Sequence, residues 1–175
     1  MTGGLAVGVG LGSNQGDRPG HLNAAIEWLR TLSTGPLAVS PVYETSAVDC
    51  APGTPPFLNA VCEMQYGGEL PELLRRMREF ERERGRPAAY EKNTSRPLDL
   101  DILYAGDLVM QTEELTIPHP RLLERRFVLQ PLCDIHPDLV LPGRPQTASE
   151  YLRRLPAQGG LVRWSTDKKR HEATD

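Results

Sequence analysis

The amino-acid sequence predicts an α+β fold: a ferredoxin-like βαββαβ antiparallel sheet with helices packed on one face and a C-terminal extension. The expectation rests on the order in which the apolar period switches between two and about 3.6 residues, and on the Pro- and Gly-rich breaks between those segments. A length of 175 residues with 39% hydrophobic and 25% charged residues suits one domain, residues 1–175, able to bury a real core.

The first strand is residues 5–12, where Leu5, Val7, Val9 and Leu11 alternate with Ala6, Gly8, Gly10 and Gly12. Its second face is nearly bare backbone, so something is expected to pack closely there. Asp17 and Pro19 mark a helix start, and Leu22, Ala25, Ile26, Leu29 and Leu32 form its apolar stripe. Residues 36–45 read as a second strand, with Pro41 implying an edge or a bulge. After the loop SAVDCAPGTPP, residues 57–66 alternate as a third strand: Leu58, Ala60, Cys62 and Met64 face the core, and Phe57, Asn59 and Val61 face the other way. A second helix opens near Pro71 and closes at Gly85, with Leu70, Leu73, Leu74, Met77 and Phe80 on one face. The fourth strand lies in RPLDLDILYAG, residues 96–106. Beyond it the chain reads as an irregular wrap of short helices and strands that leaves the second sheet face available, with one more short helix at 147–154 and a frayed tail at 165–175.

Composition excludes several function classes. A net charge of -3 gives no footprint for a polynucleotide, so no nucleic-acid partner is expected. No run is long enough for a membrane span, and MTGGLAVGVGLGSN lacks a secretory signal's basic region and cleavage pattern. A cytoplasmic protein without a membrane partner is expected. Cys50, Cys62 and Cys133 are too few and too scattered for a disulfide framework or a zinc site. The chain is read as a monomer acting on small molecules, with a homo-oligomer left open.

Charge distribution says more than its total. Residues 75–96 carry eight basic and four acidic side chains, and Arg121, Arg125 and Arg126 follow the fourth strand. Between these basic segments lie Asp99 and Asp101, which share one face of a strand with α-carbons about 6.6 Å apart. Two like charges so placed suit a hard cation such as Mg2+, whose remaining positions take water and phosphate oxygens. A solvent-facing acidic pair is the plainer alternative. Phe57 with Asn59 suits a planar heterocycle with paired donor and acceptor edges, although core packing explains both as well. Glu81, beside the apolar stripe of the second helix, is either neutralised by an arginine or aimed at a ligand. His119 could bind phosphate or cap a helix. GLGSNQGD, residues 10–17, lacks the G-K-[ST] ending of a phosphate loop and reads mainly as a tight turn.

Taken together, GLGSNQGD, YETSAV (43–48), FLNAV (57–61), ERERGR (81–86), SRPLDLDIL (95–103) and IPHPRLLERRFVLQPL (117–132) resemble the 6-hydroxymethyl-7,8-dihydropterin pyrophosphokinase family across residues 5–142. The resemblance implies transfer of pyrophosphate from ATP, as co-substrate, to the pterin hydroxymethyl oxygen in folate biosynthesis. It implies two Mg2+ ions on Asp99 and Asp101, and phosphate-clamping, catalytic roles for Arg86 and Arg96. It also implies ATP contacts from Glu81, Ile102, His119 and Arg125, and a pterin pocket of Thr45, Val48, Phe57, Asn59 and Phe127. The loop between Arg86 and Arg96 corresponds to a lid in which this chain has Ala88, Ala89 and Asn93 where relatives often carry tryptophan and arginine. Pro120 stands where an aromatic can follow the histidine. A metal-dependent nucleotidyl transferase or nuclease would also want paired aspartates and arginines, but with a longer basic track. A ferredoxin-like RNA-binding module would not need the acidic pair.

Overall fold

The computed structural model describes residues 3–46, 52–86, 95–157 and 160–165. Its centre is the antiparallel sheet that the apolar alternation requires. β1 (Leu5–Ser13) runs between β4 (Phe57–Tyr66) and β5 (Asp99–Ala105), while β2 (Ala38–Val39) and β3 (Tyr43–Thr45) both pair with β4. The expected strand at 36–45 is therefore two short strands. Pro41 has no N–H to continue a ladder, and at this break Ser40 bonds Val61 instead, with its Oγ accepting from the Val61 N–H at 2.9 Å.

α1 (Arg18–Leu32) and α2 (Leu70–Glu83) cover one sheet face. Asp17 caps α1 by accepting from the Gly20 N–H at 3.2 Å, as its position before Pro19 suggests. The predicted stripe is the buried one: Leu22, Ala25, Ile26 and Leu29 from α1 and Leu70, Leu73 and Met77 from α2 meet Val7, Val9, Leu58, Cys62, Leu100 and Ile102. Trp28 and Phe80 tie the two helices through a stack with centroids 4.5 Å apart.

The second face departs from the sequence expectation of helices on one side only. α3 (Arg126–Ile135) and α4 (Ala148–Arg154) pack there over Val61, Leu103 and Tyr104, forming a second core with Leu129, Leu132 and Leu141. α3 is one of the short helices expected in this stretch, but it runs ten residues with Pro131 inside it, where proline normally breaks a helix interior. α4 matches the expected helix, and its N-terminus is a capping box of Thr147 and Glu150. After α4 the chain returns to the sheet, where β8 (Val162–Arg163) pairs with β3. Two short strands, β6 (Met110–Gln111) and β7 (Thr116–Ile117), form a separate ribbon.

Alternation on β5 fails at one place. The ladder with β1 shifts register between Gly8 and Val9, a bulge that turns Tyr104 to the α3 side, away from Leu100 and Ile102. Tyr104 then lies over Gly8, where an added Cβ would come within 2.2 Å of its ring. This is the close packing that the bare face of β1 predicts. The first turn of α3 reaches the site, a cleft that Phe127 and Val128 line together with residues of β1, β4 and β5.

Candidate active site

Strand register builds the site. At the open end of the sheet Gly12 of β1 is paired on one side with Asn59 and on the other with Asp99, and Gly10 is likewise paired with Val61 and Asp101. Asn59 and Asp99 therefore face the same cleft from strands two apart, roughly 9–10 Å across a floor without side chains. A Cβ on Gly12 would press on Asn59 Oδ1 at 3.3 Å, so glycine keeps both the floor and the amide in place.

The cleft has a volume of about 420 Å³. One end is aromatic. Phe57 and Phe127 both line it, and Asn59 Nδ2 donates to Thr45 Oγ1 at 3.0 Å, which orients the amide and leaves its Oδ1 and second N–H for a ligand. Arg96 Cζ lies over the Phe57 ring, 6.0 Å from its centroid, and Arg125 Cζ over that of Phe127 at 5.6 Å, so each ring has a guanidinium over one face.

The other end is acidic at the floor and basic at the rim. Asp99 accepts from Arg86 Nη1 at 2.8 Å and from Arg96 Nη1 at 3.4 Å. Burial, reinforced by the neighbouring Asp99 charge, pushes the Asp101 carboxyl up to about 7, and among the described residues no side chain or backbone group donates to it. His119 is fixed by its backbone N–H to the Leu103 carbonyl at 2.7 Å, and its Nδ1 accepts from the Arg121 N–H at 3.1 Å. Burial and then the Arg125 and Arg121 charges lower its basicity, favouring a neutral imidazole. Arg125 is itself depressed by burial and by Arg121, leaving concentrated positive charge for an anion to neutralise.

The sequence of this cleft-bearing sheet matches a known family model, 7,8-dihydro-6-hydroxymethylpterin-pyrophosphokinase (HPPK), over residues 8–137. The chain belongs to the HPPK family. The 2-amino-4-hydroxy-6-hydroxymethyldihydropteridine pyrophosphokinase of Haemophilus influenzae is 35% identical over 147 residues, covering 84% of this chain and 91% of that protein. The folic acid synthesis protein fol1 of Schizosaccharomyces pombe is 40% identical over 161 residues, and that of Pneumocystis carinii 38% over 150. These matches cover 91% and 86% of this chain but only 22% and 20% of the fungal proteins, so the chain spans about a fifth of their length. A crystal structure of a Plasmodium falciparum HPPK-DHPS triple mutant shares the fold at TM-score 0.66, with 13% identity over 88% of this chain and 44% of its own.

Within this HPPK frame, nearly all of the residues singled out from the sequence converge. Thr45, Phe57, Asn59, Arg86, Arg96, Asp99, Asp101, His119, Arg125 and Phe127 all line the one cleft. Val48 lies outside the described residues, as do Ala88, Ala89 and Asn93. Two expected ATP contacts are placed elsewhere. The Ile102 side chain is 2% exposed in the α1/α2 core, because alternation turns it away from Asp101. Glu81 is 1% exposed and does not line the cleft; it accepts from Arg78 Nη1 at 2.5 Å, Arg86 Nη1 at 2.7 Å and the Leu100 N–H at 2.8 Å. It holds Arg86 in place. Sequence reasoning missed Arg78, which reaches the cleft from α2 while donating to the Leu100 carbonyl at 2.9 Å, and it left Arg121 as part of a basic knot. Arg78 lies one turn before Glu81, and that i,i+3 spacing was the available signal.

Proposed function

We propose that this chain transfers the β,γ-pyrophosphoryl group of ATP to the hydroxymethyl oxygen of 6-hydroxymethyl-7,8-dihydropterin, releasing AMP, with Mg2+ held at Asp99 and Asp101. One observation carries the reading. An aromatic recess and an acidic pair, of which Asp99 is held by Arg86 and Arg96 and Asp101 has no donor among the described residues, share one cleft, separated by a bare glycine floor and rimmed by arginines.

The donor set fits the metal. Asp101 has no donor among the described residues and its charge is opposed by burial and by Asp99, so a divalent cation relieves a strain that the protein side chains leave in place. No third His, Cys, Asp or Glu joins them among the described residues, which suits an ion that completes its shell with water and phosphate oxygens. Bound there, Mg2+ would supply charge neutralisation on the triphosphate and lower the pKa of the attacking hydroxyl; two such ions belong to the proposal.

The chain's own residues bind and align. Phe57 and Phe127 would clasp the pterin, with Asn59, steadied by Thr45, reading its edge. Arg86, buried and oriented by Glu81, would face the phosphates with Arg96, Arg125 and the neutral His119. With Asp101 committed to the cation and His119 facing the phosphates, rate enhancement would come mainly from in-line alignment, worth on the order of 7–11 kcal/mol in favourable cases, and from preorganised charge. The sheet order β5-β1-β4-β3 supports the ferredoxin-like connectivity. A single-domain, monomeric, cytoplasmic enzyme of the folate pathway completes the proposal; no helix among the described residues is long and apolar enough to cross a membrane.

The test is AMP release from ATP and Mg2+ with and without the hydroxymethyl pterin. Release that depends on the pterin supports pyrophosphoryl transfer. AMP formation without it, or cleavage of a polynucleotide, would move the assignment to a nucleotidyl transferase or nuclease.

A further inference from the structure

Asn14, in the GLGSN turn that the proposed chemistry does not use, is 2% exposed at the open end of the sheet. Its backbone N–H donates to the Arg96 carbonyl at 3.2 Å and its Oδ1 accepts from the Arg96 N–H at 2.7 Å, so it pairs with Arg96 in both directions as a strand neighbour would. The other end of the same amide faces a different segment. Asn14 Nδ2 donates to the Pro55 carbonyl at 3.2 Å, and also lies 3.4 Å from Ser95 Oγ.

The two segments joined in this way carry the two halves of the cleft. Pro55 is two residues before Phe57, which lines the aromatic recess. Arg96 holds Asp99 and places its guanidinium 6.0 Å from the Phe57 ring. Arg18 adds a second tie to the first segment, donating to the Pro56 carbonyl at 2.9 Å while paired with Glu44 at 2.8 Å. A buried amide bonded at both ends has one workable orientation, because turning it over would set Nδ2 against the Arg96 N–H and Oδ1 against the Pro55 carbonyl.

We propose that Asn14 is a positioning residue whose amide locks the Phe57 segment to the Arg96 segment, setting the spacing between the heterocycle recess and the charged half of the cleft. Its kinetic consequence rests on the pyrophosphoryl-transfer reading above; the tie itself does not. Aspartate has the same shape and can still accept from the Arg96 N–H, but it cannot donate to Pro55 or Ser95. Alanine loses both ends.

The experiment compares wild type, Asn14→Asp and Asn14→Ala by amide hydrogen exchange of the free protein and by steady-state kinetics with both substrates. In Asn14→Ala, the Gly53, Thr54 and Phe57 amides and the Ser95, Arg96 and Leu98 amides, the exchangeable backbone positions of the two segments, should both exchange at least about tenfold faster. In Asn14→Asp, the first group should accelerate while Arg96 keeps its protection. Unchanged exchange in both variants, or acceleration of one group alone in Asn14→Ala, overturns the tie. Kinetically, kcat/KM of Asn14→Ala should fall on the order of 10²-fold, and the loss in Asn14→Asp should fall mainly on the pterin KM. Folded variants with wild-type kinetics overturn the positioning role. If Asn14→Ala does not fold, Asn14→Asp carries both readouts. A wild type that releases no AMP with pterin counts against the proposed reaction, and exchange then decides the tie by itself.

Discussion

Glu81 and Asp101 lie on opposite sides of the same strand edge, and burial raises the proton affinity of both. They differ in their donors. Glu81 has Arg78, Arg86 and the Leu100 N–H on its two oxygens, whereas Asp101 has none among the described residues and faces Asp99. A buried carboxylate whose two oxygens already accept three bonds from the protein acts as a structural part. A carboxylate kept half-buried and under-donated is destabilising alone, and it makes physical sense where a cation arrives to complete it.

Exchanging their roles by mutation tests this contrast. Glu81→Gln should cost about 3–5 kcal/mol in chemical denaturation, since it strands the Arg86 guanidinium in a buried place with one fewer counter-charge. Asp101→Ala should leave folding intact and slow turnover on the order of 10²–10³-fold in single-turnover assays, while pterin binding stays measurable. A variant with near-normal turnover would break the distinction. Arg96→Ala should lower the rate roughly ten- to a hundredfold, the worth of one hydrogen bond to a charged partner, with a smaller effect on the melting midpoint. A large melting shift at an unchanged rate would make Arg96 structural.

The pH dependence sharpens the same comparison. Because the folded-state carboxyl of Asp101 is raised from 3.8 to about 7, folding takes up a proton in that window. The stabilisation is fully present below about pH 4 and is lost as pH rises toward 7. The stability difference between wild type and Asp101→Asn without metal should therefore change across that window in thermal melts and stay flat above it. The smallest effect is expected at the exposed Glu72, Arg75 and Glu79 triad of α2, where Arg75→Ala should leave rate and midpoint unchanged within error.

Much of the site was legible because period-two alternation is a strict rule in strands. It put Asp99 with Asp101 and Phe57 with Asn59, and it marked Gly8, Gly10 and Gly12 as a face awaiting close neighbours. The same rule already placed the Ile102 side chain away from Asp101, in the core, whereas its expected ATP contact came from the family resemblance alone. Alternation along single strands cannot report register between them, so the juxtaposition of Asn59, Gly12 and Asp99 was invisible. The bulge that turns Tyr104 is likewise a property of pairing. Short helices were legible after β5, but not the second core they form with the sheet, because Pro131 inside α3 contradicts local propensity and is offset only by tertiary burial. The link from Asn14 to Pro55 and Arg96 spans 41 and 82 positions, beyond any local pattern.

The most direct test of the central claim is titration calorimetry of Mg2+ into the protein with an unreactive ATP analogue, for wild type and Asp101→Asn. Nucleotide-dependent uptake in the wild type that is lost in the variant is the predicted result. Equal uptake by both proteins, or none by either, would contradict the assignment of the acidic pair to a cation shared with the triphosphate.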